Sequence, residues 1–173
     1  MIYLTKTIGE WKVRPITWGH YELLRALDHP YFSSEPNAAG HAEALTLCRF
    51  DLEGAIKLAE SPITDFDAEV SRTEKKMKAP DWIDWETLWL EQTAIPLTQG
   101  GVPGGGRMDV AVFYAAKAVL GTSDLLREPA RKVFDAAYFA WETSGQIKQV
   151  DAEGLNRALE LKERLQNGKQ GQS

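Results

Sequence analysis

The chain has 173 residues, and its 25 acidic side chains against 20 lysines and arginines give a formal charge of −5 and a pI near 5.3. That balance disfavours non-specific binding to a phosphate backbone. A hydrophobic content of 43% with 26% charged residues excludes wholesale disorder, and at this size about 70% of the unfolded surface is buried on folding, enough for one core or two small lobes.

The first residues, Met1 to Lys6, lack a basic patch followed by an apolar run and so do not read as a signal peptide. Tyr3-Leu4-Thr5 and Trp11 to Arg14 alternate like strands around Gly9, which predicts a short hairpin that must pack on something. Pro15 ends it. Thr17 is placed as an N-cap, with Ile16 and Tyr21 at hydrophobic-staple spacing, for a helix over Trp18 to Asp28 that buries Tyr21, Leu24 and Leu27 with Leu23 beside them. Pro30 stops that helix after His29.

After a loop through Ser33-Ser34-Glu35-Pro36-Asn37, a small-residue helix is expected from Ala38 to Phe50 with Leu45 and Cys48 inward. Cys48 is the one cysteine and the chain has no Asn-x-Ser/Thr sequon, so the cytoplasm is the expected compartment. Asp51 caps a short helix over Leu52 to Glu60. Phe66 to Lys78 reads as a charged helix with a solvated face, ended by Ala79-Pro80. From Asp81 to about Ile95 runs a helix on which Trp82, Trp85 and Trp89 fall at i, i+3 and i+7, one face that can pack into a core or dock a partner.

Gln99 to Arg107 holds five glycines and a proline, which no regular element tolerates, and marks the lobe boundary, with Gly100, Gly101, Gly104, Gly105 and Gly106 as hinge residues. Met108 to Leu120 reads as a buried helix, and its longest apolar run, Val110 to Ala116, is far short of the ~20 residues of a membrane span. Pro129 opens a helix to Thr143 with Val133, Phe134, Ala137, Tyr138 and Trp141 on one face, and Gly145 stops it. A last helix, Ala152 to Gln166, is capped by Asp151. The expected fold is mainly α: a short N-terminal β-hairpin and a helical bundle in two lobes, with a first lobe over 1–98, a hinge over 99–107, a second lobe over 108–166 and a polar tail over 167–173.

Chemistry-bearing patterns are sparse. Gly101 to Met108 imitates a phosphate loop, but Arg107 and Met108 stand where Lys and Ser/Thr are required. Asp65-Phe66-Asp67-Ala68-Glu69 imitates half a calcium loop, yet Val70 replaces the turn glycine and Lys76 the bidentate Glu. The carboxylate pairs Asp65/Asp67 and Asp81/Asp84 sit at helix starts, where acids serve the helix dipole. His41 and Cys48 share a helix face, which leaves a metal site or Cys/His pair to consider, without the spacing of a structural zinc site or the surroundings of a catalytic cysteine. No catalytic, cofactor or metal residue is therefore assigned.

The stretch from Trp11 to Leu24, with Leu27-Asp28-His29-Pro30-Tyr31-Phe32, resembles the tail assembly chaperones of long-tailed bacteriophages. In that family an Arg-Pro-Leu-Thr-Leu-Gly-His type segment leads into a leucine-rich helix and a Pro-Phe loop; here Ile16 and Trp18 replace the leucines. Ala42 to Phe50, the following Glu53-Gly54-Ala55-Ile56 and, more weakly, Arg131 to Phe139 continue the likeness. The resemblance implies a non-enzymatic, non-virion protein of the host cell cytoplasm that binds the tape measure protein and promotes tail-tube polymerisation. It also implies tail-tube subunits as partners and a frameshifted longer form of the chain, and Gly168-Lys169 is a dipeptide that a slippery codon pair can encode. A homo-oligomer is compatible with the apolar helical faces. Neither nucleic acid nor membrane is expected as a partner. The expected client surfaces are Trp82, Trp85 and Trp89 and the face formed by Val133, Tyr138 and Trp141, offered when the lobes move about the hinge. The competing readings are a structural virion protein of the tail or head-to-tail connector, and a small enzyme or metal-dependent regulator using His41 and Cys48.

Overall fold

The computed structural model describes residues 5–32, 37–93, 98–99, 108–122, 124–146 and 148–149. The fold is mainly helical with a short N-terminal antiparallel hairpin. β1 (Lys6–Ile8) and β2 (Trp11–Val13) pair through Ile8↔Trp11, leaving a two-residue turn in which Gly9 adopts φ 57°. Primed turns demand a positive φ at that place, and glycine meets it without steric cost. The first strand thus lies closer to the turn than the alternation of Tyr3 to Thr5 predicts, because the two-residue turn sets the register.

Thr17 caps α1 (Trp18–Ala26), and the box is closed by an unforeseen residue. His20 N–H donates to Thr17 Oγ1, while His20 Nδ1 faces both the Thr17 hydroxyl at 2.7 Å and the Thr17 N–H at 3.4 Å. The helix ends two residues early, and Asp28 turns the chain at φ 53° into a 3-10 turn over Pro30–Phe32. Leu27, expected to face inward, is therefore at the surface, and Trp18, Gly19 and His20 take up the burial at the opposite end.

Asn37 and Asp51 cap α2 (Ala38–Cys48) and α3 (Leu52–Ala59) through the N–H groups of Gly40 and Gly54. α4 (Ile63–Lys76) starts directly after Pro62, three residues before Phe66. Only Thr73 of this charged helix is fully buried, where its hydroxyl meets that of Thr46 at 2.8 Å. α5 (Ala79–Thr93) takes Ala79-Pro80 into its first turn rather than stopping before them, since proline is tolerated where the N–H has no helical partner.

α6 (Met108–Leu120) and α7 (Ala130–Thr143) form a helical hairpin. Gly121 at φ 62° and Gly145 at φ 74° terminate them in the left-handed region, the standard glycine stop. A 3-10 turn over Leu125–Arg127 and a short strand pair, β3 (Thr98–Gln99) with β4 (Lys148–Gln149), are additional elements that carry no periodicity long enough to read. Residues 100–107, which contain the expected hinge glycines, and the expected helix over 152–166 lie outside the described residues.

Among the described residues, buried side chains fall into two clusters. One joins the hairpin to α1 through α5 around Ile16, Leu24, Leu45, Leu47, Trp85 and Leu88. The other fills the α6–α7 pair with Val112, Ala116, Val133, Phe134, Ala137 and Tyr138 and includes Trp18. α1 belongs to both, and Tyr21 packs against each. Backbone bonds fix this junction: Trp18 N–H donates to Glu128 O and Ala130 N–H to Ile16 O, each at 2.8 Å, and Ile16 N–H donates to the buried Gln92 Oε1 at 2.6 Å. Gly19 lies so near Leu52 and the Leu126 carbonyl that an added Cβ would stand 2.8 Å from that oxygen.

Candidate functional site

Both aromatic faces expected to meet a partner point inward in this conformation. Trp85 and Trp89 lie in the first cluster with Trp82 half-buried at its edge, and Val133, Tyr138 and Trp141 lie in the second. The two sets are joined by rings from α1 and the turn after it. Tyr21 stands edge-on to Phe134 with centroids 5.2 Å apart and parallel to Trp89 at 6.4 Å, and Trp89 stacks on Tyr31 at 4.5 Å. Trp85 Nε1–H donates to Tyr31 Oη at 2.8 Å, and Tyr31 Oη shares a 2.8 Å hydrogen bond with His41 Nδ1. Burial pushes the Tyr21 phenol up to about 12 and raises that of Tyr31 further, so both are neutral hydrogen-bonding groups at ordinary pH.

His41 is thus engaged by Tyr31, while Cys48 is completely buried and its thiol is raised by desolvation alone. A thiol held in that form is a poor nucleophile and a poor metal ligand. Among the described residues no three His, Cys, Asp or Glu side chains stand together as a metal site. Asp81 of the Asp81/Asp84 pair accepts the Lys78 N–H at 2.8 Å, a capping role at the start of α5.

The concave surface lies elsewhere, and residues 14–30 border three clefts. The first, about 270 Å³, opens between the end of α1, α2 and the start of α4. Its walls are Leu27, Leu47, Ala59, Ile63 and Phe66, with Leu27 47% and Ile63 70% exposed at the rim. His29 lines the polar part of this cleft. Its Nδ1 accepts the Tyr31 N–H at 3.2 Å, which leaves the proton on Nε2 to be donated to Gly40 O at 3.0 Å. Burial lowers the His29 pKa, and Glu43, 3.7 Å from Nε2, is raised by burial and then by Asp67.

A second cleft of about 330 Å³ runs between α1 and α6 and is walled by Trp18, Val110, Phe113, Tyr114 and Leu126, with Glu22 the one charged group among its described residues. Tyr114 is 67% and Leu126 45% exposed. The third, about 250 Å³, is polar: Arg14, Thr17, His20, Asp51, Glu53 and Arg127 line it, and Arg127 pairs with Glu53 at 2.6 Å. In its wall the His20 pKa is lowered by burial, and Nε2 meets Phe50 O at 3.2 Å. Two clefts rimmed by apolar side chains can seat side chains of a partner helix.

Sequence periodicity did not mark these residues. Tyr114 lies off the buried stripe of α6, and Leu126 sits in a turn too short for any pattern. No family model, curated protein or solved structure matches the chain.

Proposed function

We propose that the protein is a non-enzymatic assembly chaperone of the phage tail kind, which holds helical segments of a tape measure protein and promotes polymerisation of tail-tube subunits around it. The observation carrying this reading is that residues 14–30, the heart of the stretch that resembles those chaperones, border three clefts, two of them rimmed by apolar side chains. Trp18, which replaces a family leucine, forms part of the wall of the α1–α6 cleft with Phe113 and Tyr114.

In this reading a client helix lays an apolar face over Tyr114 and Leu126, while the two tryptophan-bearing clusters hold the cleft walls in place. Ile83 and Leu90, exposed and seven residues apart on α5, lie on one helical face suited to self-association. The host cytoplasm is the corresponding compartment, a frameshifted longer form is the corresponding second product, and the chain is absent from finished particles.

Co-expression with a helical tape measure fragment tests the proposal. The wild-type chain keeps the fragment soluble and co-purifies with it. A Tyr114→Asp/Leu126→Asp double variant loses capture while keeping its circular dichroism spectrum. Undiminished capture by a folded double variant would remove the α1–α6 cleft from the account. Mass spectrometry of purified particles separates the virion alternative: abundant chain in particles means a structural subunit.

A further inference from the structure

We propose that the groove between β2, the end of α2 and α4 binds a carboxylate side chain of an acidic peptide segment, through Arg49 and the indole of Trp11. This site is distinct from the apolar clefts and does not depend on the tape measure reading.

The groove has a volume of about 370 Å³, and Trp11, Lys12, Arg49, Phe50, Glu69 and Arg72 line it. Arg49 follows the last turn of α2, and its guanidinium lies over two rings, 4.1 Å from the Trp11 centroid and 4.9 Å from that of Phe50. Its side chain is only 7% exposed. Nη2 is bonded to Glu69, but Nε is buried and meets no acceptor among the described residues. The Trp11 indole Nε1–H, stacked against the same guanidinium, is buried and meets none either. Native interiors rarely leave one buried donor without an acceptor, and here two such donors lie in adjacent side chains, both suited to one incoming acceptor.

The chemistry of that acceptor follows from shape and charge. Two N–H groups in planar, stacked systems suit a planar group with two oxygens, which is a carboxylate, and a charge-assisted bond to a guanidinium is the strong form of that interaction. Glu69 already demonstrates the preference, since its carboxylate joins Arg49 to Arg72. The surroundings hold an excess of cations: Lys12, Arg49, Arg72 and Lys76 stand against Glu10 and Glu69, in a chain whose overall charge is −5. A local basic groove on an acidic protein selects short acidic segments, because an extended polyanion is repelled by the rest of the surface. Binding requires the incoming carboxylate to shift Glu69 and the Arg49–Trp11 stack by enough to uncover the two donors.

The full-length chain labelled with ¹⁵N provides the test. The Trp11 indole resonance is assigned with Trp11→Phe, and a blocked octaglutamate peptide is titrated, with inorganic phosphate at matched ionic strength as the second arm. The expected result is a saturable downfield shift of the Trp11 indole proton with the peptide and none with phosphate. Arg49→Lys, which keeps charge but loses Nε and the fork, is expected to weaken binding about tenfold. Arg72→Ala is at an exposed position and keeps the stack, so it is read out even where Arg49→Lys fails to fold; about twofold weakening is expected. No saturable shift overturns the proposal. An equal response to phosphate overturns the carboxylate assignment, and affinity unchanged in every variant that folds overturns the site.

Discussion

Between the hairpin and α5 the interior carries polar groups where elements cross, whereas the α6–α7 interior is almost wholly apolar. The first region has the Thr46–Thr73 hydroxyl pair, Gln92 on the Ile16 N–H, and two imidazoles bonded to Phe50 O and Gly40 O. The second holds Val112, Ala116, Val133, Phe134 and Ala137, and the buried hydroxyl of Tyr138 has no partner among the described residues. Satisfied polar crossings fix one arrangement of five helices, while the adjacent pair α6 and α7 reaches its arrangement mainly from side-chain volume. The polar region is also the one that shapes residues 14–30, which border the clefts.

The largest test of that contrast is a cavity in each region. Trp85→Ala is expected to cost about 3–5 kcal/mol by denaturant unfolding, and Phe134→Ala a similar amount. Both variants are expected to unfold in a single transition, since residues 14–24 serve both clusters; separate transitions would split the regions. Gly19→Ala comes next, at about 1–3 kcal/mol, because its methyl meets Leu52 and the Leu126 carbonyl at the junction.

A pH series sharpens the comparison further. Burial holds His20 and His29 below the ordinary value near 6.5. Below that pH the unfolded chain binds protons that the folded chain resists, so stability falls as pH drops through 6.5 towards the folded values. Glu43 works in the opposite sense at lower pH, its raised pKa adding stability when it is protonated and losing it as pH rises above 4.5. Thermal melts between pH 7.5 and 5.5 are expected to show the histidine slope, with protection of α1 and α2 amides lost before that of α6 and α7. The smallest effect is expected at Tyr138→Phe. Removing a buried hydroxyl without a partner should leave stability unchanged or raise it by up to about 1 kcal/mol.

Local signals made much of the fold legible. Thr17, Asp51 and Gly145 stand where caps and stops are expected, and α6 spans the residues its apolar pattern marks. Proline misled at Ala79-Pro80, where the same residue type that ends one helix starts the next. His20 and His29 gave no sequence signal, since a capping imidazole and a backbone-bonded one look like any other histidine until their neighbours are in place. The candidate site was less legible than the fold. Tryptophan spacing identified faces, but spacing is the same for a face that packs inward and one that docks a client, and here Trp85 and Tyr138 are fully interior. Clefts arise between elements, so Tyr114 and Leu27 acquire their role only from tertiary packing.

Hydrogen exchange on the full chain, with and without a helical tape measure fragment, tests the chaperone reading most directly. The account predicts slower exchange in α1 and in the first half of α6, with α5 and α7 unchanged. Unaltered exchange throughout α1 and α6 at saturating fragment would contradict it.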